Sequence, residues 1–217
     1  MKIEAIGMGL YVMPSEIRSW LGVKDSKYSD AFLESIIREK MDYVDRISAT
    51  TWNGEVKETT EYHDITRPKW GYWVYRLGYP IYLTKVYVRE IKKLEVWNGG
   101  EWEDWIALPQ YEEGRDKAYW VDYIEGIVYL NEFMIPQAGK EVRITYTYGR
   151  DDLPGYVKEL TKLLVVRDLI VNERRMFAIP EGAQGITLSE MLRWLNERIA
   201  QLEELVRAVH ICKVSRW

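Results

Sequence analysis

The stretch that decides the fold runs from Glu141 to Val171 and reads EVRITYTYGRDDLPGYVKELTKLLVVRDLIV. Its first eight residues alternate apolar with polar side chains, which is the period-two pattern of a half-buried strand. The apolar members are Val142, Ile144, Tyr146 and Tyr148. Gly149 then interrupts the strand, and Pro154 suits the first turn of a helix, where its missing N–H costs nothing. The sequence therefore predicts a strand that leads directly into a helix.

The helix that follows is apolar over more than half of its circumference. Its apolar residues are Val157, Leu160, Leu163, Leu164, Val166, Leu169 and Ile170. A helix with so wide an apolar surface is buried on more than one side. We therefore expect a central helix, with the rest of the chain packed around it and the strand before it.

Two helices are predicted near the start of the chain, over residues 13–22 and 30–48. Pro14 opens the first helix and Gly22 ends it, while Ser29 caps the second. The second helix carries a single apolar stripe, formed by Leu33, Ile36, Ile37, Met41, Val44 and Ile47. The charged residues on its other face are expected to form a solvated surface.

Residues 55–149 consist of short β-prone segments separated by turn signals, which predicts an antiparallel β unit of six to eight short strands. One strand is expected over 81–88. Asn98, Gly99 and Gly100 predict a hairpin between strands at 93–97 and 102–108. The unit is expected to be a small barrel or a meander.

The last helix begins at a capping box, in which Thr187 and Glu190 satisfy each other's backbone N–H groups. Its apolar residues alternate spacings of three and four, as in a heptad seam. They are Leu192, Leu195, Ile199, Leu202, Val206 and Val209. Such a seam either pairs with a neighbouring subunit or packs on the chain's own helices, and the sequence leaves both possibilities open.

These elements define an α+β fold in which a helical bundle carries an inserted antiparallel β unit. The bundle consists of the N-terminal helix pair (1–54) and of the central and C-terminal helices (150–217). The β insertion spans 55–149. No internal repeat or low-complexity tract interrupts this organisation.

Composition narrows the class of protein. The chain has 217 residues, 47% of them hydrophobic and 29% charged, which is typical of a globular protein. Its net charge of −4 argues against a dedicated nucleic-acid binder. The N-terminal residues are too few and too weakly apolar for a membrane span and lack the layout of a cleavable signal, so no membrane association is expected. Scarce Asn and Gln beside plentiful Glu, Lys and Arg suggest a thermophilic source.

No local motif for catalysis is found, and we expect no enzyme activity, no cofactor and no metal site. The histidines His63 and His210 lie far apart in the sequence, and Cys212 is the single cysteine. No nucleophile elbow, phosphate-binding glycine loop or zinc-binding histidine pair is present. Asp151 and Asp152 are explained by helix capping without a metal ion.

The order of the pieces resembles that of gp6-like head–tail connector (adaptor) proteins of tailed viruses or proviruses. The segments PSEIRSWLGV and SDAFLESIIREKMDYVDRI resemble the N-terminal helix pair of that family. TTEYHD resembles its polar strand, LGYPIYLTKVYV its apolar-Pro strand, and VRITYTYGRDDLPGYVKEL its strand–turn–helix. The resemblance covers residues 13–171. It rests on the order and the polar or apolar character of these segments, and not on a set of invariant catalytic residues.

The resemblance implies a structural virion protein of the neck, between capsid and tail, assembled in the host cytoplasm. It would form a homo-oligomeric ring, typically a dodecamer, under the portal protein, and would contact neck or tail proteins. DNA would pass through the channel without specific binding, which an acidic chain suits. The candidate subunit or portal interface is the seam of the last helix together with two aromatic residues of the β unit. These candidates are Leu192, Leu195, Ile199, Leu202, Val206, Trp70 and Trp73. Replacing Ile199 and Leu202 by Asp is then expected to abolish assembly and to leave a folded monomer.

Two other classes of function compete with the connector. A carbohydrate- or ligand-binding β module without catalysis would use exposed aromatic rings that stack on sugars. Its candidate residues are Trp70, Trp73, Trp102 and Trp105. An enzyme whose site is not written in a local motif would have to rely on Asp and Glu, because His and Cys are so few.

Overall fold

The computed structural model describes residues 9–23, 27–65, 78–131, 134–135, 141–172 and 187–211. Within these ranges the fold is α+β, with four helices and two antiparallel sheets. The chain divides into two compact units. One combines Met1–Ser48 with Asp151–Trp217 and holds the helices, and the other is Ala49–Arg150 and holds both sheets.

The helical unit contains α1 (Pro14–Leu21), α2 (Asp30–Ser48), α3 (Gly155–Asn172) and α4 (Leu188–Ile211). Gly22 ends α1 in the left-handed conformation, with φ 63°, as its position in the sequence predicts. The Ser29 hydroxyl accepts the Phe32 N–H at 3.3 Å at the start of α2. The predicted capping box of α4 is confirmed, since the Glu190 carboxylate accepts the Thr187 N–H at 2.7 Å and the Thr187 hydroxyl accepts the Glu190 N–H at 3.2 Å.

Helix α3 is the centre of this unit and contacts α1, α2 and α4. Its buried residues lie on almost every side of the helix, as the width of its apolar surface predicts. They are Val157, Leu160, Thr161, Leu163, Leu164, Val165, Val166, Leu169 and Ile170. Thr161 satisfies its buried hydroxyl by donating to the Val157 carbonyl at 3.0 Å. Apolar burial around α3 is therefore the main stabilisation of the unit.

Polar contacts at the rim join pairs of helices. They are Lys40–Asp168 between α2 and α3, Glu16–Lys158 at 2.8 Å between α1 and α3, Glu159–Arg198 at 2.9 and 3.0 Å between α3 and α4, and Tyr43–Glu203 at 2.6 Å between α2 and α4. Exposed ion pairs each contribute at most about 1 kcal/mol. They fix the relative orientation of helices that the apolar core already holds together.

The other unit contains seven strands within the described ranges. They are β1 (Lys57–Asp64), β2 (Tyr79–Tyr82), β3 (Val88–Trp97), β4 (Trp102–Asp104), β5 (Tyr119–Asp122), β6 (Ile127–Leu130) and β7 (Glu141–Tyr148). The strand order is β1-β7-β3-β4 in one sheet and β2-β6-β5 in the other, and all pairs are antiparallel. The predicted strand–turn–helix is confirmed, with β7 paired on both edges and followed by α3.

Two predicted strands are wrong in their length. The expected strand over 81–88 is split, because Tyr87 has a φ of 54° and the Val86 N–H leaves the sheet to donate to the Ala49 carbonyl at 3.0 Å. The return strand expected over 102–108 ends at Asp104, whose carboxylate accepts the Ile106 N–H at 3.1 Å in an Asx turn. The aromatic segment expected over 70–77 lies outside the described residues.

The two sheets share one apolar core. Its central members, all fully buried, are Leu94, Val96, Trp105, Val128, Leu130, Val142, Ile144 and Tyr146. Side chains from β3, β6 and β7 meet there. Buried positions therefore alternate with less buried ones along β6 and the first part of β7, while two register shifts interrupt the alternation in β3. Neither sheet could bury this surface alone.

Gly149 is the residue that ends β7, and it tolerates no side chain. Its φ is 138°, and a Cβ atom there would lie 2.2 Å from the backbone oxygen of Glu55 and 2.5 Å from the hydroxyl of Thr51. Its N–H donates to the Tyr87 carbonyl at 3.0 Å. The chain can leave the sheet at this point only because the residue is glycine.

We expect Gly149→Ala to lower the free energy of unfolding by about 2–4 kcal/mol, because the added methyl group collides with backbone. Urea unfolding followed by circular dichroism measures the change. Gly54→Ala is the matched control: its φ is also positive, at 78°, but nothing lies within 4 Å of the added atom. The control should cost only about 1 kcal/mol, and equal losses for the two variants would refute the steric explanation.

Candidate interaction surfaces

The described residues offer little for metal or membrane chemistry. In this part of the chain no group of three His, Cys, Asp or Glu side chains could hold a metal ion. No helix in the same ranges is long and apolar enough to cross a membrane. The side chain of His210 and all of Cys212 lie outside the described residues, whereas His63 lies on β1.

A polar network is centred on Glu61, whose side chain is 11% exposed. Its carboxylate accepts hydrogen bonds from the hydroxyls of Tyr146 and Thr84 and from the Thr84 N–H at 3.0 Å. The His63 ring contacts the same carboxylate at 3.2 Å. The network therefore joins β1, β7 and the segment that follows β2.

The hydrogen bonds decide the protonation state of this network. Desolvation raises the pKa of Glu61, but the donors His63, Thr84 and Tyr146 together outweigh it and lower the pKa to about 2. Burial, followed by the hydrogen bond to Glu61, raises the pKa of the Tyr146 hydroxyl far above its usual value. With the carboxylate fully hydrogen-bonded, the arrangement serves as a structural cross-link.

Sequence reasoning missed this network. The segment KETTEYHD is polar and β-prone, so the sequence predicts a strand with polar residues on both faces. The inward position of Glu61 is satisfied by donors that lie 23 and 85 residues away in the sequence. The signal for the network is Glu61, a polar residue at an inward position of a strand. Only the strand register shows which face is inward, so the sequence alone does not reveal this position.

An aromatic–arginine cluster covers the outer face of the four-stranded sheet. It consists of Tyr62, Glu95, Trp97, Trp102 and Arg143. Arg143 forks onto the Glu95 carboxylate, with Nε at 2.6 Å, and its guanidinium lies 4.9 Å from the Trp102 ring centre. Trp102 also meets Trp97 edge to face at 5.5 Å. Tyr62 is the most exposed member, at 68%.

A stacked ladder covers the outer face of the three-stranded sheet. Trp120 and Tyr129 stack with ring centres 3.9 Å apart and planes 2° from parallel. The guanidinium of Arg115 lies 4.8 Å from the Trp120 ring centre, and Pro80 is opposite Tyr129 in the strand register. These neighbours occupy the flat faces of the rings, so the ladder stabilises the register of the strands.

Of the residues expected to bind a carbohydrate, the structure describes Trp102 and Trp105, and these two lie on opposite sides of the sheet unit's core. Trp105 is fully buried and stacks on Tyr111 at 4.5 Å, so it cannot reach a ligand. Trp102 lies in the aromatic–arginine cluster, with its ring contacted by Trp97 and Arg143. Trp70 and Trp73 lie outside the described residues. No described row of free, flat aromatic faces remains to support sugar stacking.

The seam of α4 is buried within the helical unit. Leu195, Ile199, Leu202 and Val206 are 0–3% exposed and α4 contacts α2 and α3, while Leu192 is half-buried. Of the two possibilities that the sequence left open, packing on the chain's own helices is therefore what a single chain shows. A role of these residues in a subunit or portal interface stays a prediction, as it does for Trp70 and Trp73.

Two large apolar residues of α4 are exposed beside the seam, since each directly precedes a seam residue, Leu195 or Val206, and so points about 100° away from it. Trp194 is 52% exposed and Leu205 is 56% exposed. Sequence analysis did not single them out, because they stand outside the heptad pattern. In a helix whose seam is filled by its own chain, these two side chains remain available for a partner.

Comparisons with known proteins give distant structural neighbours. No protein-family model matches the chain, and no curated protein matches it. A chain in the neck of an empty gene transfer agent (GTA) particle, computed with C6 symmetry, is 18% identical, with 94% of this chain and 93% of that chain covered and a TM-score of 0.47. A chain of the native GTA virion is 16% identical, with 90% and 93% covered and a TM-score of 0.43. One in the native GTA neck, computed with C12 symmetry, is 16% identical, with 90% and 94% covered and a TM-score of 0.41. At these TM-scores and identities the likeness assigns neither a fold nor a function to this chain.

Burial predicts the outcome of placing charges in the α4 seam. Ile199→Asp with Leu202→Asp should prevent the helical unit from folding, since two carboxylates would be desolvated in an apolar core at a cost of more than about 5 kcal/mol. Circular dichroism and thermal unfolding measure the loss. Asn196→Asp with Ala200→Asp, two exposed positions of the same helix, is the control and should leave the helical content unchanged. A folded monomer of the seam variant would show instead that the seam serves assembly.

Glu61 should make the free energy of unfolding of the sheet unit depend on pH in the acidic range. Because its pKa is lowered in the folded state, its contribution is complete above the unfolded pKa of about 4.5 and is lost as the pH falls towards about 2. Glu61→Gln should therefore cost about 2–3 kcal/mol at neutral pH and flatten the acid dependence between those pH values. Urea unfolding midpoints at a series of pH values test this. Glu101→Gln, at an exposed carboxylate of the 98–101 hairpin, should leave both the midpoint and its pH dependence unchanged.

Proposed function

We propose that this chain is a structural protein of the head–tail connector (adaptor) type. It would act as a subunit of a homo-oligomeric ring that lies under the portal of a viral or provirus-derived capsid and links it to neck or tail proteins. The proposal includes the finer architecture, a helical bundle that carries the β unit as an insertion. It requires no catalytic group and no cofactor.

The observation that carries the proposal is the order of elements along the chain. The helix pair α1–α2 is followed by the polar strand β1, then by β2 with Pro80, and later by β7 leading into α3. Each piece occupies the segment in which the sequence resembles gp6-like connectors. The type and order of these elements support the proposal.

The surfaces of the described chain also suit an assembly protein. The buried carboxylate of Glu61 is fully hydrogen-bonded, and the aromatic ladder around Trp120 is stacked on itself. Exposed apolar side chains such as Trp194 and Leu205 remain on a regular helix. Helix faces with exposed apolar residues are typical contact surfaces between proteins, whereas small-molecule sites are concave.

The net negative charge of the chain is compatible with a channel through which DNA passes. A net charge of −4 gives few phosphate contacts, and each such contact would hold the DNA by releasing counterions. We infer that DNA would pass through the ring without specific binding. The virion neck would be the site of action, with assembly in the host cytoplasm.

Rings are the expected outcome of purification. Light scattering should give a mass of many chains of 25.8 kDa each, near twelve for a dodecamer, and negative-stain images of the same sample should show a central hole. If the chain is monomeric alone, the same measurements are made after mixing it with the portal protein of its own particle. A chain that remains monomeric in both samples would contradict the proposal.

A further inference from the structure

Two asparagines of the sheet unit are followed directly by glycine, Asn53 before Gly54 and Asn98 before Gly99. An Asn–Gly pair can modify itself, because no side chain on the glycine hinders an attack of its nitrogen on the asparagine carboxamide. Asn53, Gly54 and Gly99 are exposed and Asn98 is half-buried, and both pairs lie in connections between regular elements. The sequence therefore does not rank the two pairs, and the hydrogen bonds of the fold have to decide between them.

The backbone nitrogen of Gly54 is held by the fold. Its N–H donates to the Arg150 carbonyl at 2.9 Å. Attack on the Asn53 carboxamide would break this bond, since the nitrogen must give up its proton and turn toward the side-chain carbon. The contact with Arg150 therefore protects Asn53 from reaction.

The backbone nitrogen of Gly99 is under no such constraint. Across the described ranges of the chain, the Gly99 N–H makes no hydrogen bond to another protein group. Gly99 is exposed at the tip of the hairpin, with a φ of 101°. The nitrogen that must act as the nucleophile thus loses no described protein contact when it reacts.

The carboxamide of Asn98 is polarised by its neighbours. Its Oδ1 accepts the N–H groups of Gly100 and Glu101, both at 2.9 Å. Its Nδ2 donates to the Glu103 carboxylate at 2.7 Å, which fixes the orientation of the group. Two N–H donors on one carbonyl oxygen stabilise the negative charge that develops there when a nucleophile adds to the carbon. The hairpin thus activates the same carboxamide that it holds in place.

We propose that Asn98–Gly99 is a site of spontaneous deamidation in the folded chain, and that Asn53–Gly54 is protected from this reaction. The Gly99 nitrogen adds to Cγ of Asn98 and forms a C–N bond. The proton of that nitrogen leaves with the carboxamide NH2 as ammonia, which closes a five-membered imide. Water then adds to either imide carbonyl and opens the ring to aspartate or isoaspartate.

The product changes the hairpin that joins β3 to β4. A carboxylate at position 98 still accepts backbone N–H groups, but it no longer donates to Glu103, so two carboxylates face each other where a 2.7 Å hydrogen bond existed. Isoaspartate also inserts a methylene group into the backbone, which disturbs the pairing of Trp97 with Trp102. Modification should therefore loosen β4, an edge strand of the four-stranded sheet.

Peptide mass spectrometry of the full-length chain, incubated at neutral pH, measures the reaction at both pairs in one sample. Deamidation raises the mass of a peptide by about 1 Da, and chromatography separates isoaspartate from aspartate. Peptides that contain Asn98 should be modified at least about tenfold faster than those that contain Asn53, because the Gly54 hydrogen bond must first be broken. Asn53 is the matched internal control, since it shares the solution conditions and the following glycine.

The same measurement in concentrated urea separates the fold from the local sequence. Both pairs lose their hydrogen bonds there and should react at rates within about threefold of each other. Equal rates in the folded chain, or a faster reaction at Asn53, would overturn the proposal. The folded-state difference persisting in urea would also overturn it, because the fold would then have no part in the selectivity. Aspartate without isoaspartate at position 98 would contradict the imide route, since opening of the imide yields both.

Discussion

The sheet unit depends on a close approach of backbone to backbone at Gly149. Strand β7 is paired with β1 on one edge and with β3 on the other, so its end must fit between neighbours on both sides. At Gly149 the space that a side chain would need is occupied by the Glu55 carbonyl and by the Thr51 hydroxyl, which are themselves hydrogen-bonded at 2.6 Å. The absence of a side chain at Gly149 thus lets the segment before β1 lie directly against the end of β7. This close approach helps to fix the register of β1 on β7.

The same register explains how a carboxylate can be buried in the sheet unit. Tyr146 faces the core of β7, and its hydroxyl lies within reach of Glu61 on β1. Thr84 closes the network from the segment after β2. Burying a charge without partners would cost several kcal/mol, whereas a carboxylate with several donors is stable in its ionised form. The network therefore ties the connection between the two sheets to the centre of the larger sheet.

Local signals were sufficient for the helices and for the central strand. The ends of α1, α2 and α4 are set by Gly22, Ser29 and the pair Thr187–Glu190, and each acts through hydrogen bonds within a few residues. The hairpin at 98–100 is equally local, with the Asn98 carboxamide accepting the Gly100 and Glu101 N–H groups at 2.9 Å. Neighbours in the sequence decide such features, so the sequence alone predicts them.

Features that depend on distant residues could not be predicted in this way. The strand expected over 81–88 is broken because Val86 bonds to Ala49, which lies 37 positions earlier. Trp102 and Trp105 lie three positions apart, so a strand turns them to opposite faces, but only the pairing with β3 shows which of the two faces the core. For α4, the apolar pattern predicts a buried seam but not which molecule buries it. The pattern is the same in both cases, since the spacing of the seam depends only on helix geometry.

That ambiguity has a physical consequence for an assembling protein. A subunit that must fold before it assembles needs a core of its own, and the seam of α4 provides it through Leu195, Ile199 and Leu202. On α4 itself, the exposed residues Trp194 and Leu205 then remain for a partner. Two exposed apolar side chains are too few to make the free chain insoluble, yet they are enough to add affinity when a partner covers them. Contacts of this size become stable when they are repeated around a closed ring, because each copy is held on two sides and must lose both contacts to leave.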